Sequence, residues 1–321
     1  MFVSVITCTF NPRRDHLERT LEALRQQTLP GKQWEFLLVD NGSKPAISPS
    51  LDGLPSARIL PVEQPGKIHA LLAAIEEAQG ELLIIVDDDN VLAPDFLELA
   101  VDVAVEKPFL GAWGGQIIPE FEVPPPEWSK PYLNLLTLKT LDREEWSNLP
   151  TGPAPAGAGM CLRSSVARRF VENLAAHPER RMLGRAGASV ITGEDWEMAL
   201  AACDLGLGMG HLPQLRLTHL ISARRLELSY LLHLVETLCF SRQVFVQIRG
   251  LTSLIHYPPT RFEQLVRWLK SWRVEPMRRK FLHAEWSGLA AAHRFTQDKD
   301  FTRYSTGESH KANQIGVRNG K

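Results

Sequence analysis

The sequence predicts an α/β protein with a mostly parallel sheet flanked by helices, a loop-rich second half and a C-terminal helical extension. Two observations carry that expectation. Over the first hundred residues, short and continuously apolar runs alternate with amphipathic stretches at helical spacing, the pattern of strands buried on both faces and joined by crossover helices. Three of those runs end in polar clusters, Thr9-Phe10-Asn11, Asp40-Asn41-Gly42 and Asp87-Asp88-Asp89. Ligands of parallel sheets bind beyond the carboxyl ends of the strands, so the three clusters are expected on one rim.

The elements follow in order. Phe2-Val3-Ser4-Val5-Ile6-Thr7 is a β-branched run stopped near Asn11-Pro12, a strand and then a turn. Leu17, Leu21 and Leu24 recur at helical spacing among charged residues. Phe36-Leu37-Leu38-Val39 is a second strand, halted by the turn formers Asp40-Asn41-Gly42-Ser43. Arg58 to Val62 is a shorter strand, and Ile68, Leu71, Leu72 and Ile75 mark a helix closed by Gly80. Leu82-Leu83-Ile84-Ile85-Val86 runs straight into the three aspartates. From about 108 to 155 the texture turns irregular and rich in proline and tryptophan, and Gly157-Ala158-Gly159 leads into a short strand at Met160-Cys161-Leu162. Glu194 to Ala202 and residues 226 to about 248 read as helices, and the polar residues from 297 onward as a flexible tail.

Composition narrows the function classes. The 321 residues carry 36 Lys and Arg against 37 Asp and Glu, which gives no basic surface for nucleic acid. Cys8, Cys161, Cys203 and Cys239 fit neither a zinc spacing nor a disulfide framework. No stretch is apolar enough for a spanning helix, and the chain opens on a strand-like run without a basic leader. The expectation is a cytoplasmic protein.

Three acids at the end of a buried strand are costly unless a cation neutralises them. On a strand, Asp87 and Asp89 share a face while Asp88 points away, so an i, i+2 carboxylate pair is available to one hard divalent cation, Mg²⁺ or Mn²⁺. A plainer role is an acidic turn ahead of the helix near Pro94-Asp95-Phe96.

Val3 to Asn11, Phe36 to Ser43 and Gly80 to Asp89 together resemble the three opening signatures of glycosyltransferase family 2. The resemblance implies a GT-A fold and an inverting transfer of one sugar from a nucleotide-diphosphate donor, UDP-linked, to a hydroxyl acceptor. That family implies residues 1–225 as the catalytic domain, with a nucleotide-sugar-binding half at 1–107 and an acceptor half at 108–225, followed by a helical extension at 226–296 and the tail at 297–321. Thr9, Phe10 and Asn11 would lie along the nucleotide, Asp40 would accept a hydrogen bond from the base, and Asp88 would face the ribose. Asp87 and Asp89 would face Mn²⁺ or Mg²⁺, with His219 completing its coordination, and Lys67 would lie near the donor phosphates.

In Gly193-Glu194-Asp195-Trp196 the Glu-Asp pair resembles the family's pair at a helix start, with Asp195 as the catalytic base and Glu194 beside it. A helix N-terminus favours the carboxylate form that accepts a proton, although acids are common there for the dipole alone. Gly157 resembles the acceptor-side glycine turn, and Trp196 is placed to stack on a sugar or to fill the core. The implied acceptor is a glycan or a lipid-linked sugar, in bacterial glycan or lipopolysaccharide assembly.

Two departures stand out. Ile68-His69-Ala70 lacks the Arg-Asn usual after the lysine, and the Gln-x-x-Arg-Trp motif of processive synthases has no membrane-spanning context here. Thr9 to Arg14 also lacks the glycine-rich loop of a sugar nucleotidyltransferase, and the intact acids argue against a non-catalytic scaffold. The aromatic and basic residues of the helical tail suit packing first, and a homodimer interface or a peripheral membrane surface next.

Overall fold

A computed structural model describes residues 1–184, 191–256 and 259–297. The expected tail, apart from Gln297, lies outside the described residues. Two compact units emerge: residues 1–122, 137–176 and 194–222 form the first, and 123–136, 177–193 and 223–321 the second.

The first unit is built on one nine-stranded sheet. Its elements are β1 (Val3–Thr9), α1 (Arg14–Arg25), β2 (Trp34–Asp40), β3 (Arg58–Pro61), α2 (Lys67–Glu77), β4 (Leu82–Ile85), β5 (Asn90–Leu92), α3 (Phe96–Glu106), β6 (Leu110–Phe121), β7 (Glu145–Ser147), β8 (Met160–Arg163), α4 (Ser164–Ala176), α5 (Glu194–Asp204) and β9 (Gly208–Ile221). The strand order is β3-β2-β1-β4-β8-β6-β9-β5, with β7 paired to β9. β3, β2, β1 and β4 are all parallel. β8 then runs antiparallel to β4, with Ile85 opposite Met160.

The largely apolar character of β1, β2 and β4 on both faces follows from cover on both sides. Val3, Val5, Phe36, Leu38, Leu82 and Ile84 join Leu17, Leu21 and Leu24 of α1 and Phe96, Leu97 and Ala100 of α3 in one buried cluster. α2 and α4 pack on the sheet as well, against β1, β2, β4 and β8, burying Ile68, Leu71, Val166 and Phe170. Alternate strand residues therefore meet different helix layers, and neither face tolerates a polar run.

One buried polar network closes the end of the sheet away from the acids. Glu35 is 1% exposed; its Oε1 accepts from Ser4 Oγ at 2.6 Å and from the Gln79 N–H at 2.8 Å. Ser4 Oγ accepts in turn from the Gly80 N–H at 2.8 Å, and Arg58 lies 3.4 Å from Glu35 Oε2. Every acid there has partners, which is the condition for burying one.

The second unit holds α6 (Leu228–Ile248), α7 (Arg261–Ser271) and α8 (Pro276–Gln297), with short 3-10 turns between 127–136 and 178–183. α6 and α8 pack along each other, so close at Gly288 that a Cβ there would sit 2.2 Å from the Glu236 carbonyl. The apolar face of residues 226–248 is accordingly a packing surface in large part, with Leu231, Val235, Val244 and Phe245 buried. Among the described residues no helix is long and apolar enough to cross a membrane.

A Cβ at Gly80 would stand 2.5 Å from the Ser4 nitrogen and 2.7 Å from the Leu82 carbonyl, both backbone atoms that cannot rotate away. Gly80→Ala is therefore expected to cost about 2–4 kcal/mol, read as a drop in the urea midpoint. An unchanged midpoint would show that this junction is slack.

Candidate active site

The ends of β1, β2 and β4 do lie side by side, because Thr9 pairs with Asp40 and the Val86 N–H donates to the Ile6 carbonyl. Strand geometry stops earlier than the period-two argument assumes. β4 ends at Ile85, and the aspartates occupy a turn in which the Asn90 N–H donates to the Asp87 carbonyl and Asn90 Oδ1 accepts from the Asp87 N–H. The sharing of one face by Asp87 and Asp89 is therefore not set by strand alternation. Each acid has its own neighbour.

Asp87 is turned to Lys67, with Oδ1 3.0 Å from Nζ, and the same ammonium lies 3.4 Å from Glu194 Oε1. Burial would lower the Lys67 pKa, but Asp87, Glu194 and Asp195 outweigh it and hold it above the ordinary lysine value. Asp195 sits in the same cluster. Burial and the neighbouring Glu194 push its carboxyl up from 3.8 to about 6, against the pull of Lys67 and of hydrogen bonds from the Trp196 and Gly157 backbones. The Trp196 N–H donates to Asp195 Oδ1 at 2.8 Å, and the Trp196 side chain is half-buried. Gly157 borders both groups: a Cβ there would be 3.5 Å from Lys67 Nζ and 3.7 Å from the Asp195 Cβ.

Asp88 takes a hydrogen bond from the Thr9 hydroxyl. Burial raises its pKa to about 6, and Asp89 and Asp87 add to the rise while Thr9 opposes it. Asp89, 9% exposed, faces His219, with Oδ2 3.4 Å from Nε2. The antiparallel pairing of β5 with β9 delivers this contact by setting Asn90 opposite His219, and the Leu220 N–H donates to the Asp89 carbonyl at 2.9 Å. A carboxylate and an imidazole side by side form a mixed O/N donor pair that fits Mn²⁺ or Mg²⁺ when phosphate oxygens supply further ligands. Among the described residues no cluster of three or more His, Cys, Asp or Glu converges on one point, so most of the coordination would fall to the ligand and water.

The β1–β2 rim is tied by its loops. Asp40 accepts the Ser43 N–H at 2.9 Å on Oδ1 and the Ile47 N–H at 3.1 Å on Oδ2, the turn-forming role open to an Asp before Asn-Gly. Asn11, at φ +49°, accepts the Lys44 N–H on Oδ1, and its own N–H donates to Ser43 Oγ. Phe10 between them is 63% exposed, a flat apolar surface at the mouth of the rim.

Sequence reasoning passed over Asn41. Its Nδ2 donates to the Val62 and Gln64 carbonyls at 3.1 and 2.8 Å, and its Oδ1 accepts the Gly66 N–H at 2.7 Å. Gly66 has φ +127°, a backbone that only glycine adopts readily, and Lys67 follows at once. Asn41 thus shapes the turn that aims Lys67. The visible signal was an Asn in a strand-end turn, which local rules assign to the turn itself. Cys8 lies in the same field; burial pushes its thiol up to about 12, so it stays protonated and is no nucleophile.

Sequence comparison fixes the relationship. A family model described as "Glycosyl transferase family 2" matches residues 4–169, just over half of the 321 residues. The chain belongs to glycosyltransferase family 2. An N-acetylglucosaminyltransferase of Bradyrhizobium diazoefficiens is 33% identical over 122 residues, 36% of this chain and 25% of the relative. A glucosyl-dolichyl phosphate glucuronosyltransferase of Haloferax volcanii is 26% identical over 133 residues, 40% of this chain and 42% of the relative. The chain therefore aligns with less than half the length of either relative. In structure, this family 2 chain shares its fold with S. aureus TarS 1–349 in complex with UDP-GlcNAc, at a TM-score of 0.50 and 15% identity, over 95% of this chain and 90% of that one. The GT-A expectation for the sheet is thereby met.

Removing the ammonium leaves Asp87, Glu194 and Asp195 to face one another. Asp195 binds its proton more tightly folded (about 6) than at its ordinary 3.8, so its favourable contribution is lost as pH rises through that window. Lys67→Met widens the window toward neutrality. The variant should lose about 3–5 kcal/mol at pH near 8 and clearly less near pH 5, measured by urea unfolding at both. Equal losses at the two pH values would mean that the acids do not depend on Lys67.

Proposed function

We propose that this chain is an inverting glycosyltransferase that moves a single sugar from a nucleotide-diphosphate donor, UDP-linked, to a hydroxyl of a glycan or lipid-linked acceptor. The observation that supports this reading best is the cluster of Asp87, Lys67, Glu194 and Asp195, in which an ammonium and a carboxyl of raised pKa stand together. Family membership supports the reaction class, and the named relatives support a nucleotide-sugar donor by analogy.

The chemistry follows from those groups. Asp195 accepts the proton of the acceptor hydroxyl as its oxygen bonds to the anomeric carbon. The bond from that carbon to the diphosphate oxygen breaks, its electron pair leaves with the nucleoside diphosphate, and attack from the opposite face inverts the centre. Lys67 offers positive charge to the leaving phosphates. Asp89 and His219, with Asp87 as the further acid that the family resemblance implies, would hold Mn²⁺ or Mg²⁺, which would supply Lewis-acid stabilisation of the charge on the leaving diphosphate. Thr9 orients Asp88 toward the ribose, while exposed Phe10 and the Asp40–Asn11 rim border the nucleoside; Gly157 and Trp196 border the acceptor.

A raised pKa near 6 suits a base that must be ionised at neutral pH without being a weak acceptor. Because only the carboxylate form accepts a proton, kcat/KM should fall as pH drops through about 6. Asp195→Asn is expected to lower turnover about 10²–10⁴-fold and to remove that acid limb from what activity is left. Persistence of the limb in the variant would move the base elsewhere.

Incubation with UDP-sugars, Mn²⁺ and a sugar acceptor should release nucleoside diphosphate. A nucleotidyltransferase would release pyrophosphate instead, and a binding scaffold nothing. Asp89→Ala and His219→Gln should each shift the Mn²⁺ requirement upward at least tenfold while the thermal midpoint of the metal-free protein moves little. Unchanged Mn²⁺ titrations would exclude these two as ligands.

A further inference from the structure

α7 differs from every other helix in its unit. Its N-terminus is fully formed, with a capping box in which Thr260 Oγ1 accepts the Glu263 N–H and Glu263 Oε2 accepts the Thr260 N–H. Yet Phe262, Leu265, Leu269 and Trp272 are exposed at 74%, 53%, 54% and 62%. Spaced by three and four residues, they line one side of the helix, with Trp268 at its border, 47% exposed and edge-on to Trp272. Ser271 at its C-terminal end is buried, donates to the Trp268 carbonyl and lies 3.4 Å from His283 Nε2 on α8, while Arg267 and Lys270 are exposed along with the apolar side. An amphipathic helix of a water-soluble protein normally buries its apolar face.

Charge decides what suits that face. Residues 261–280 contain seven Lys or Arg and two acids, a net of +5 in a chain whose total is −1. Both acids are engaged at helix N-termini: Glu263 in the capping box, and Glu275 accepting the Met277 and Arg278 N–H groups. Arg267, Lys270, Arg273, Arg278 and Lys280 are exposed, and Arg279 lies over the Trp272 ring at 4.8 Å. Trp and Leu on one side with Arg and Lys around them is the pattern of a helix lying in the plane of a membrane interface, its apolar side among acyl chains and its cations among anionic headgroups. A second copy of this chain would bring a net-positive segment against itself, which disfavours a self-paired interface.

We propose that α7 is an in-plane docking helix for an anionic lipid bilayer, seating Phe262, Leu265, Leu269 and Trp272 below the headgroups. The proposal stands apart from the donor chemistry, since none of these residues belongs to the candidate active site. Within the helical tail it confines the membrane surface to α7, since the apolar residues of α6 are largely buried.

The test uses the full chain and vesicles of phosphatidylcholine alone or with about one-third phosphatidylglycerol. The chain should co-sediment with the anionic vesicles only, and less so as salt rises. Leu265→Asp/Leu269→Asp, at exposed positions that leave the fold intact by circular dichroism, should weaken binding at least tenfold. Acyl-chain-brominated lipid should quench tryptophan emission, and Trp268→Phe/Trp272→Phe should abolish most of that quenching while the variant still sediments. Failure of the full chain to bind anionic vesicles overturns the proposal. So does unchanged binding by the Leu265/Leu269 variant, which would leave only a diffuse charge attraction. A concentration-dependent dimer that the Leu265/Leu269 variant dissociates, without vesicle binding, would assign the face to a second copy and overturn it equally.

Discussion

Lys67 Nζ stands 3.0 Å from Asp87 and 3.4 Å from Glu194, with Asp195 in the same field, and the meeting of three separate chain segments depends on that ammonium. The β4 turn, the start of α2 and the start of α5 each bring charge to one poorly solvated place. Without the cation, three acids would repel one another where water screens them little. The cation's own position is unfavourable in isolation, because Lys67 opens α2, where the helix dipole is positive. Such a placement costs a few tenths of a kcal/mol to about 1 kcal/mol and persists because the acids more than offset it. Asn41 and Gly66 complete the constraint. A side-chain amide reaching two carbonyls and an N–H, and a φ of +127°, commit the backbone to the one course that presents the lysine to the rim.

Two acids of the site share a raised pKa for the same reasons, burial and neighbouring carboxylates, and differ in the groups that hydrogen-bond to them. Asp195 is raised by burial and by the like charge of Glu194, while it accepts backbone N–H groups of Trp196 and Gly157. Asp88 is raised by burial while holding the Thr9 hydroxyl, which fixes its orientation. The three adjacent aspartates differ in partner instead: Asp87 has Lys67, Asp88 the Thr9 hydroxyl and Asp89 His219.

The parallel half of the sheet was legible because its code is local. Near-continuous apolarity at Val3–Ile6, Phe36–Val39 and Leu82–Ile85 requires cover on both faces, and the polar residues that stop the runs are buried with hydrogen-bond partners, as Asp40 and Asn41 are. The Asp89–His219 contact was legible only in order along the chain; its geometry comes from β5 pairing antiparallel with β9, a contact over more than a hundred residues that no window detects. Asn41 stayed hidden because an Asn before Gly explains itself as a turn. Strand alternation does not extend through the triplet, because it requires extended backbone and Asn90 closes a turn over Asp87 instead. The exposure of α7 was equally unreadable, since an amphipathic pattern states which side is apolar and not whether anything covers it.

The reversal at β8 explains how the segment before it reaches Lys67 and Asp195. β4 carries its acids just past its carboxyl end. Had β8 joined it in parallel, the segment before β8 would lie at the opposite edge of the sheet, beside Gly80 and the Glu35 network. Running antiparallel, with Met160 opposite Ile85, β8 starts where β4 finishes, so Gly157 arrives beside Lys67 and Asp195. The turn requires φ +69° at Gly159, where a Cβ would strike Leu217 at 2.5 Å, so the glycines there serve the strand reversal as well as open ground for a substrate. One change of strand direction thereby sets the acids just past β4 beside the backbone at the mouth of β8, the donor and acceptor sides in the proposed reaction.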